Sequence, residues 1–185
     1  MSSVLRISNQ VVTDTFGIKI AQETFSFQLK QLIDRLNFLD EQIEVLDAEI
    51  VRYYENFDCY LHTIRGVGVI GAATILAEIG DIHRFRNASA LVAFAGIDPT
   101  VRQSGEFNSI HNHMSKRGSP YLRHAIFMSA ATCSFHDSPL NAYYKKKRDQ
   151  GKHHLTATGA VARKLTTVIY AVLRDGKPYE PKKFC

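Results

Sequence analysis

The sequence predicts an all-α protein: a long amino-terminal coiled-coil helix followed by a compact helical domain containing a helix-hairpin-helix. Three observations predict it. Apolar residues recur every three and four positions from Leu29 to Phe57, capping residues and glycines punctuate the chain after residue 58, and strand-like alternation is nowhere sustained.

Residues 1–24 carry little period and read as a lead-in segment. Over residues 25–58, Leu29, Leu36, Ile43, Ile50 and Phe57 occupy one heptad position and Leu32, Leu39, Leu46 and Tyr53 the other, with no Gly or Pro between. A period of 3.5 keeps a narrow seam turned toward one partner helix, whereas a helix lying on a globular core needs a wider stripe. The segment is therefore expected to pair two chains into a homodimer.

From residue 59 to 180 a helical domain is expected. Gly80 ends a helix over Val69–Ile79, and Asn87 caps Ala88–Ala95, which Gly96 ends. Ser119-Pro120 opens a helix to about His136, and Ser138-Pro139 repeats the arrangement for a helix closed by Gly151. A last amphipathic helix runs from about Thr156 to Arg174, with Gly176 beyond it.

The chain of 185 residues suits one ordinary domain plus an extension. No apolar run approaches the roughly 18 residues of a membrane span, and no basic-then-apolar leader opens the chain. Cys59, Cys133 and Cys185 are odd in number and unpaired in spacing, so they read as reduced thiols of a cytoplasmic protein without a metal site. The net charge of +5 hides a division: residues 1–58 hold 5 Lys/Arg against 10 Asp/Glu, and residues 59–185 hold 18 against 8. An acidic half for assembly and a basic half for a polyanion follow from that asymmetry. A basic surface that simply faces water is the competing reading.

Gly66-Val67-Gly68-Val69-Ile70-Gly71 matches the dinucleotide fingerprint, but the strand and βαβ unit that motif needs are missing from its surroundings. The reading preferred is a helix-hairpin-helix over about 59–80, a short helix at Cys59–Arg65 turning through the glycines into a second rich in alanine. Gly66, Gly68 and Gly71 would let the backbone approach a phosphate, held by the free amides that begin the second helix. Contacts of this kind carry no base information, so binding should be sequence-tolerant and salt-sensitive.

Between Gly96 and Ser119 lies a polar segment without helical period, holding Arg102, Ser104 and Gly105, with Lys116, Arg117 and Arg123 after it. A hydroxyl amid guanidinium and ammonium groups suits attack on a phosphodiester, although most Ser-Gly pairs are turns. His111-Asn112-His113 and His153-His154 lack the spacing of nuclease or metal motifs and read as solvent-facing or phosphate-contacting. Lys145-Lys146-Lys147-Arg148 sits where a helix C-terminus favours cations anyway.

In order, the blocks TIRGVGVIGAATILAEIGDIHRF, ALVAFAGIDPTVRQSGEF, SKRGSPYLRHAIFMSAATCSFHDSPLNAYYKKKRDQGK and AVARKLTTVIYAVLRDGKPY resemble the carboxyl-terminal domain of the DEDD-type, bridge-RNA-guided insertion-sequence transposases. The resemblance runs from about Phe57 to Tyr179, and that family also places a coiled coil just before this domain. It implies DNA as partner, with a guide RNA and a full-length transposase as further partners. It implies that Ser104, in RQSGE, is the nucleophile forming a phosphoserine link; Arg102, Lys116, Arg117 and Arg123, near it in sequence, are expected beside the DNA. It also implies an amino-terminal ribonuclease-H-like domain whose four acidic residues bind Mg²⁺. The 24 residues before the coiled coil are too few for that domain, so this chain is expected to hold no cofactor and to be inactive alone. A nucleoid-associated location in the cytoplasm follows. The alternative is a non-enzymatic DNA-binding or regulatory protein that dimerises through its coiled coil.

Overall fold

In the computed structural model, residues 19–99, 103–104, 107–108 and 114–181 are described, with backbone alone at 19–23, 103–104 and 107–108. Six α-helices carry the fold: α1 (Lys19–Tyr54), α2 (Val69–Ile79), α3 (Ala88–Ala95), α4 (Pro120–His136), α5 (Ser138–Asp149) and α6 (His154–Asp175). One two-residue hairpin, β1 (Gln103–Ser104) against β2 (Phe107–Asn108), and 3-10 turns at Leu61–Thr63 and Ile82–Arg84 complete the described elements. The protein is all-helical, as its pattern predicts. No described helix is long and apolar enough to cross a membrane.

The chain divides between Glu49 and Ile50 into two units. Within the first, α1 begins at Lys19, ten residues ahead of Leu29, the first residue of the heptad stripe, because extending an existing helix costs far less than starting one. Leu32, Leu36, Leu39, Ile43 and Leu46 are each more than half exposed, at 53–61%. A row of aliphatic side chains left in water is an unburied seam.

In the second unit, α6 is the central element. Ala157, Val161, Ala162, Leu165, Val168, Ile169 and Val172 form its buried face, and it packs on α3, α4 and α5, while α2 packs on α4. Leu165 and Ile169 are wholly enclosed, and each such side chain contributes about 1.5–3 kcal/mol of burial free energy.

The helix ends follow local chemistry. Asn87 Oδ1 accepts from the Ala90 amide at 2.9 Å, and Ser119 Oγ accepts from the Leu122 amide at 3.1 Å. Such caps are each worth about 1 kcal/mol. One cap differs from the sequence expectation: α5 is capped by Asp137, whose Oδ1 accepts from the Leu140 amide at 3.1 Å, and Ser138 is already helical. A carboxylate wholly buried at that corner has the backbone amide as its strongest donor, with the Tyr179 hydroxyl more distant at 3.4 Å.

The first arm of the hairpin also differs. In place of a helix over Cys59–Arg65 there is one 3-10 turn, Leu61–Thr63. Leu61, Ile64 and Val67 are all buried at a spacing of three, the period that a 3-10 turn places on one side.

Candidate nucleic-acid interface

The glycine hairpin sits at the start of α2, and its three glycines are held differently. Gly66 has φ +100°, and a Cβ there would lie 2.7 Å from the Cys133 amide nitrogen of α4. It serves the close approach of two chain segments. Gly71 also faces α4, with Ser129 Oγ 3.4 Å from where its Cβ would be. Gly68 is the N-cap of α2, is exposed, and has open space on its side-chain side. No side chain caps α2 and no acidic residue stands in its first turn, so the amides of that turn face outward beside a bare glycine. An anion fits there by hydrogen bonding and by the helix dipole.

The second set of site residues surrounds the neck of the serine loop. The Ser115 amide donates to the Asp98 carbonyl at 2.9 Å and the Lys116 amide to the Gly96 carbonyl at 3.1 Å. The Ser115 hydroxyl donates to the Asp98 carboxylate, and Pro99 bridges to Met114. Gly118 passes so close to the Phe94 carbonyl that no Cβ would fit. Residues 96–99 and 114–119 are thereby clamped, and the loop bearing Ser104 springs from the clamp. The backbone of Ser104 lies in β1, its Cα opposite that of Phe107. Its side chain and all of Arg102 lie outside the described residues.

Three predicted cations are placed around this neck. Lys116, at φ +52°, and Arg117 are exposed. Arg123 is half-buried, and its Nη1 donates to the Ala95 carbonyl at 3.4 Å, so this guanidinium also ties α4 to the end of α3.

The neck and the glycine hairpin do not meet. Cys133 and Ser129 of α4 stand beside Gly66 and Gly71, while Ser119 Oγ bonds Glu78 at the far end of α2, at 2.5 Å. About 16 Å of helix separates the two sets. Between them runs a groove of about 560 Å³ lined by Ile70, Thr74, Tyr121, His124 and Met128 among others. Tyr121 is 69% exposed. Tyr121 and His124 of this groove are not among the site residues that the sequence pattern singles out. Their signal was available as aromatic and polar side chains three apart on a helix whose other face is apolar.

The comparisons decide the family of this domain. Residues 58–145 match the model of the transposase IS116/IS110/IS902 family. The chain carries a transposase domain of the IS116/IS110/IS902 family. It is 35% identical to an insertion element IS110 protein of Streptomyces coelicolor, over 96% of this chain and 46% of that protein. It is 32% identical to an insertion element IS116 protein of Streptomyces clavuligerus, over 81% of this chain and 38% of that one. It is also 32% identical to the pilin gene-inverting protein of Moraxella bovis, over 87% and 52%. The chain thus spans about half the length or less of these relatives. The transposase domain begins at Asp58, one residue before the buried Cys59, and contains both the glycine hairpin and the serine loop.

Mg²⁺, which the family resemblance implies, has no fitting ligand set among the described residues. No group of three or more His, Cys, Asp or Glu side chains is placed to hold a metal ion. No step through a metal is derived from this chain.

Proposed function

We propose that this chain is the DNA-binding and dimerising carboxyl-terminal part of an insertion-sequence transposase, with Ser104 as its nucleophile. The observation that carries the reading is the uncapped start of α2 behind Gly68, set within a transposase-family domain. Its amides would take a backbone phosphate, and Lys116 and Arg117 at the other end of α2 would take a second. Homodimerisation through residues 25–58 would place two such surfaces on one DNA, in the cytoplasm at the nucleoid.

The serine loop would act as follows. Ser104 Oγ bonds to phosphorus, the bond from phosphorus to one sugar oxygen breaks, and that oxygen takes up a proton. The serine proton must pass to a base, because an unassisted hydroxyl is a poor nucleophile at neutral pH. The cations at the neck can stabilise phosphate charge but cannot remove that proton. The base is assigned to a separate acidic, Mg²⁺-binding domain of DEDD type, with a guide RNA choosing the site.

The isolated chain should therefore bind DNA and leave it intact in the presence of Mg²⁺. Combined with a family-type acidic domain and its guide RNA, it should form a covalent adduct, seen as labelled DNA shifting with protein on a denaturing gel. Ser104→Ala should bind DNA and give no adduct, while Ser109→Ala remains competent. An adduct that persists in Ser104→Ala would mean the nucleophile is another residue.

A further inference from the structure

Three rings stand in a row, contributed by three different helices. Phe135, in the last turn of α4, is 62% exposed. Its ring centroid lies 5.9 Å from that of Tyr144 on α5, with the planes at 52°. Tyr144 lies 5.9 Å from His154, the first residue of α6, at 79°, and its hydroxyl is 2.6 Å from His154 Nδ1. That bond fixes the tyrosine and histidine against each other before any ligand arrives.

The chain beside the row is strongly basic. Between Lys145 and Lys152 it holds five Lys/Arg and one carboxylate, Asp149. Lys147 lies with its Nζ 5.4 Å from the Tyr143 ring centroid. An exposed apolar ring in a protein–protein seam is flanked by further apolar side chains and depleted of lysine. Here the flank is mainly cationic, with Leu155 beside His154 as its one large exposed aliphatic neighbour in sequence. Duplex DNA would meet the charge, but its base faces are stacked inside the helix and cannot meet the rings. Unpaired nucleotides present both a charged backbone and open base faces, the combination that single-strand sites use.

We propose that Phe135, Tyr144 and His154, flanked by Lys145 and Lys152, form a stacking site for the bases of a single DNA strand. The proposal rests on the reading of the protein as DNA-binding, and it adds a second surface that prefers unpaired strands. The strand opened beside the loop-bearing side of the domain would have a place to lodge while it is cut and rejoined.

The test uses the full chain with a fluorescein-labelled oligothymidine and a duplex of equal length, compared by anisotropy. Phe135→Ala, an exposed change with little effect expected on folding, should weaken oligothymidine binding about tenfold. It should leave duplex affinity within about twofold, and Phe135→Tyr should restore the strand. Photocrosslinking of an iododeoxyuridine strand should map to Phe135 or Tyr144. Unchanged strand affinity in Phe135→Ala, or equal losses for strand and duplex, would overturn the site. A change in oligomeric state in place of a change in strand affinity would also overturn it, since the row would then face a second copy. Duplex binding without any strand binding removes this proposal alone, whereas no binding to either removes the DNA-binding reading as well.

Discussion

At the scale of single residues, the three hairpin glycines make separable contributions. Gly66 combines a positive φ with a Cβ position 2.7 Å from the Cys133 amide nitrogen, so a methyl group there meets both backbone strain and a packed neighbour. Gly66→Ala should lose about 2–4 kcal/mol of stability. Gly68→Ala should cost no more than about 1 kcal/mol, since the position is open. Chemical denaturation of both variants checks this, and equal losses would contradict the placement of Gly66 against α4. Cys133 is the other informative residue. Burial first, and the nearby Asp137 carboxylate second, push its thiol from 9.0 up to about 12. The thiolate is the reactive form, so Cys133 should resist alkylation at pH 8 until the protein unfolds. The linkage has a definite sign. The unfolded thiol ionises near pH 9 and the folded one near 12, so between those values the native state holds the extra proton. Its contribution to stability is complete below pH 9 and declines as pH rises toward 12. Rapid labelling of Cys133 in the native protein, read by mass spectrometry, would contradict both statements.

At the scale of elements, the ends of α2, α3 and α4 were legible because glycines, Asn87 and Ser119-Pro120 act on their own neighbours. What local signals left open was decided by packing. Both Asp137 and Ser138 offer an oxygen at the start of α5, and the buried carboxylate takes the cap. The short helix before Gly66 shrank to one 3-10 turn because Leu61, Ile64 and Val67 had to share a face. Arg123 could be read as a DNA ligand, yet its bond to the Ala95 carbonyl depends on α3 and α4 meeting, which no spacing reveals. The row of Phe135, Tyr144 and His154 was equally hidden, since its members come from three helices. For α1 the heptad stripe predicts a partner helix. Replacing Ile43 and Leu46 with charged residues should convert a dimer to monomers, each lost aliphatic contact being worth about 1.5–3 kcal/mol when buried. Analytical ultracentrifugation at micromolar concentration reads the outcome, and a monomeric unmodified protein would refute the dimer.

At the scale of the whole molecule, the charge division assigns the work. The basic residues 59–185 hold 18 Lys/Arg against 8 Asp/Glu, and they include the transposase domain at 58–145. On the proposed reading, its hairpin amides, neck cations and groove would form a surface on which the phosphates, and not the base edges, supply most of the affinity. Affinity built on phosphates falls with salt through counterion release, and one built on apolar packing does not. The most direct measurement is duplex binding of the intact chain as a function of salt, for the unmodified protein, Gly68→Asp and Lys147→Ala. With about six phosphates neutralised, log affinity should fall against log salt with a slope of roughly −5. Gly68→Asp, which puts a carboxylate where a phosphate belongs, should weaken binding more than Lys147→Ala. Binding that ignores salt, or equal effects from the two substitutions, would contradict the hairpin as the DNA contact.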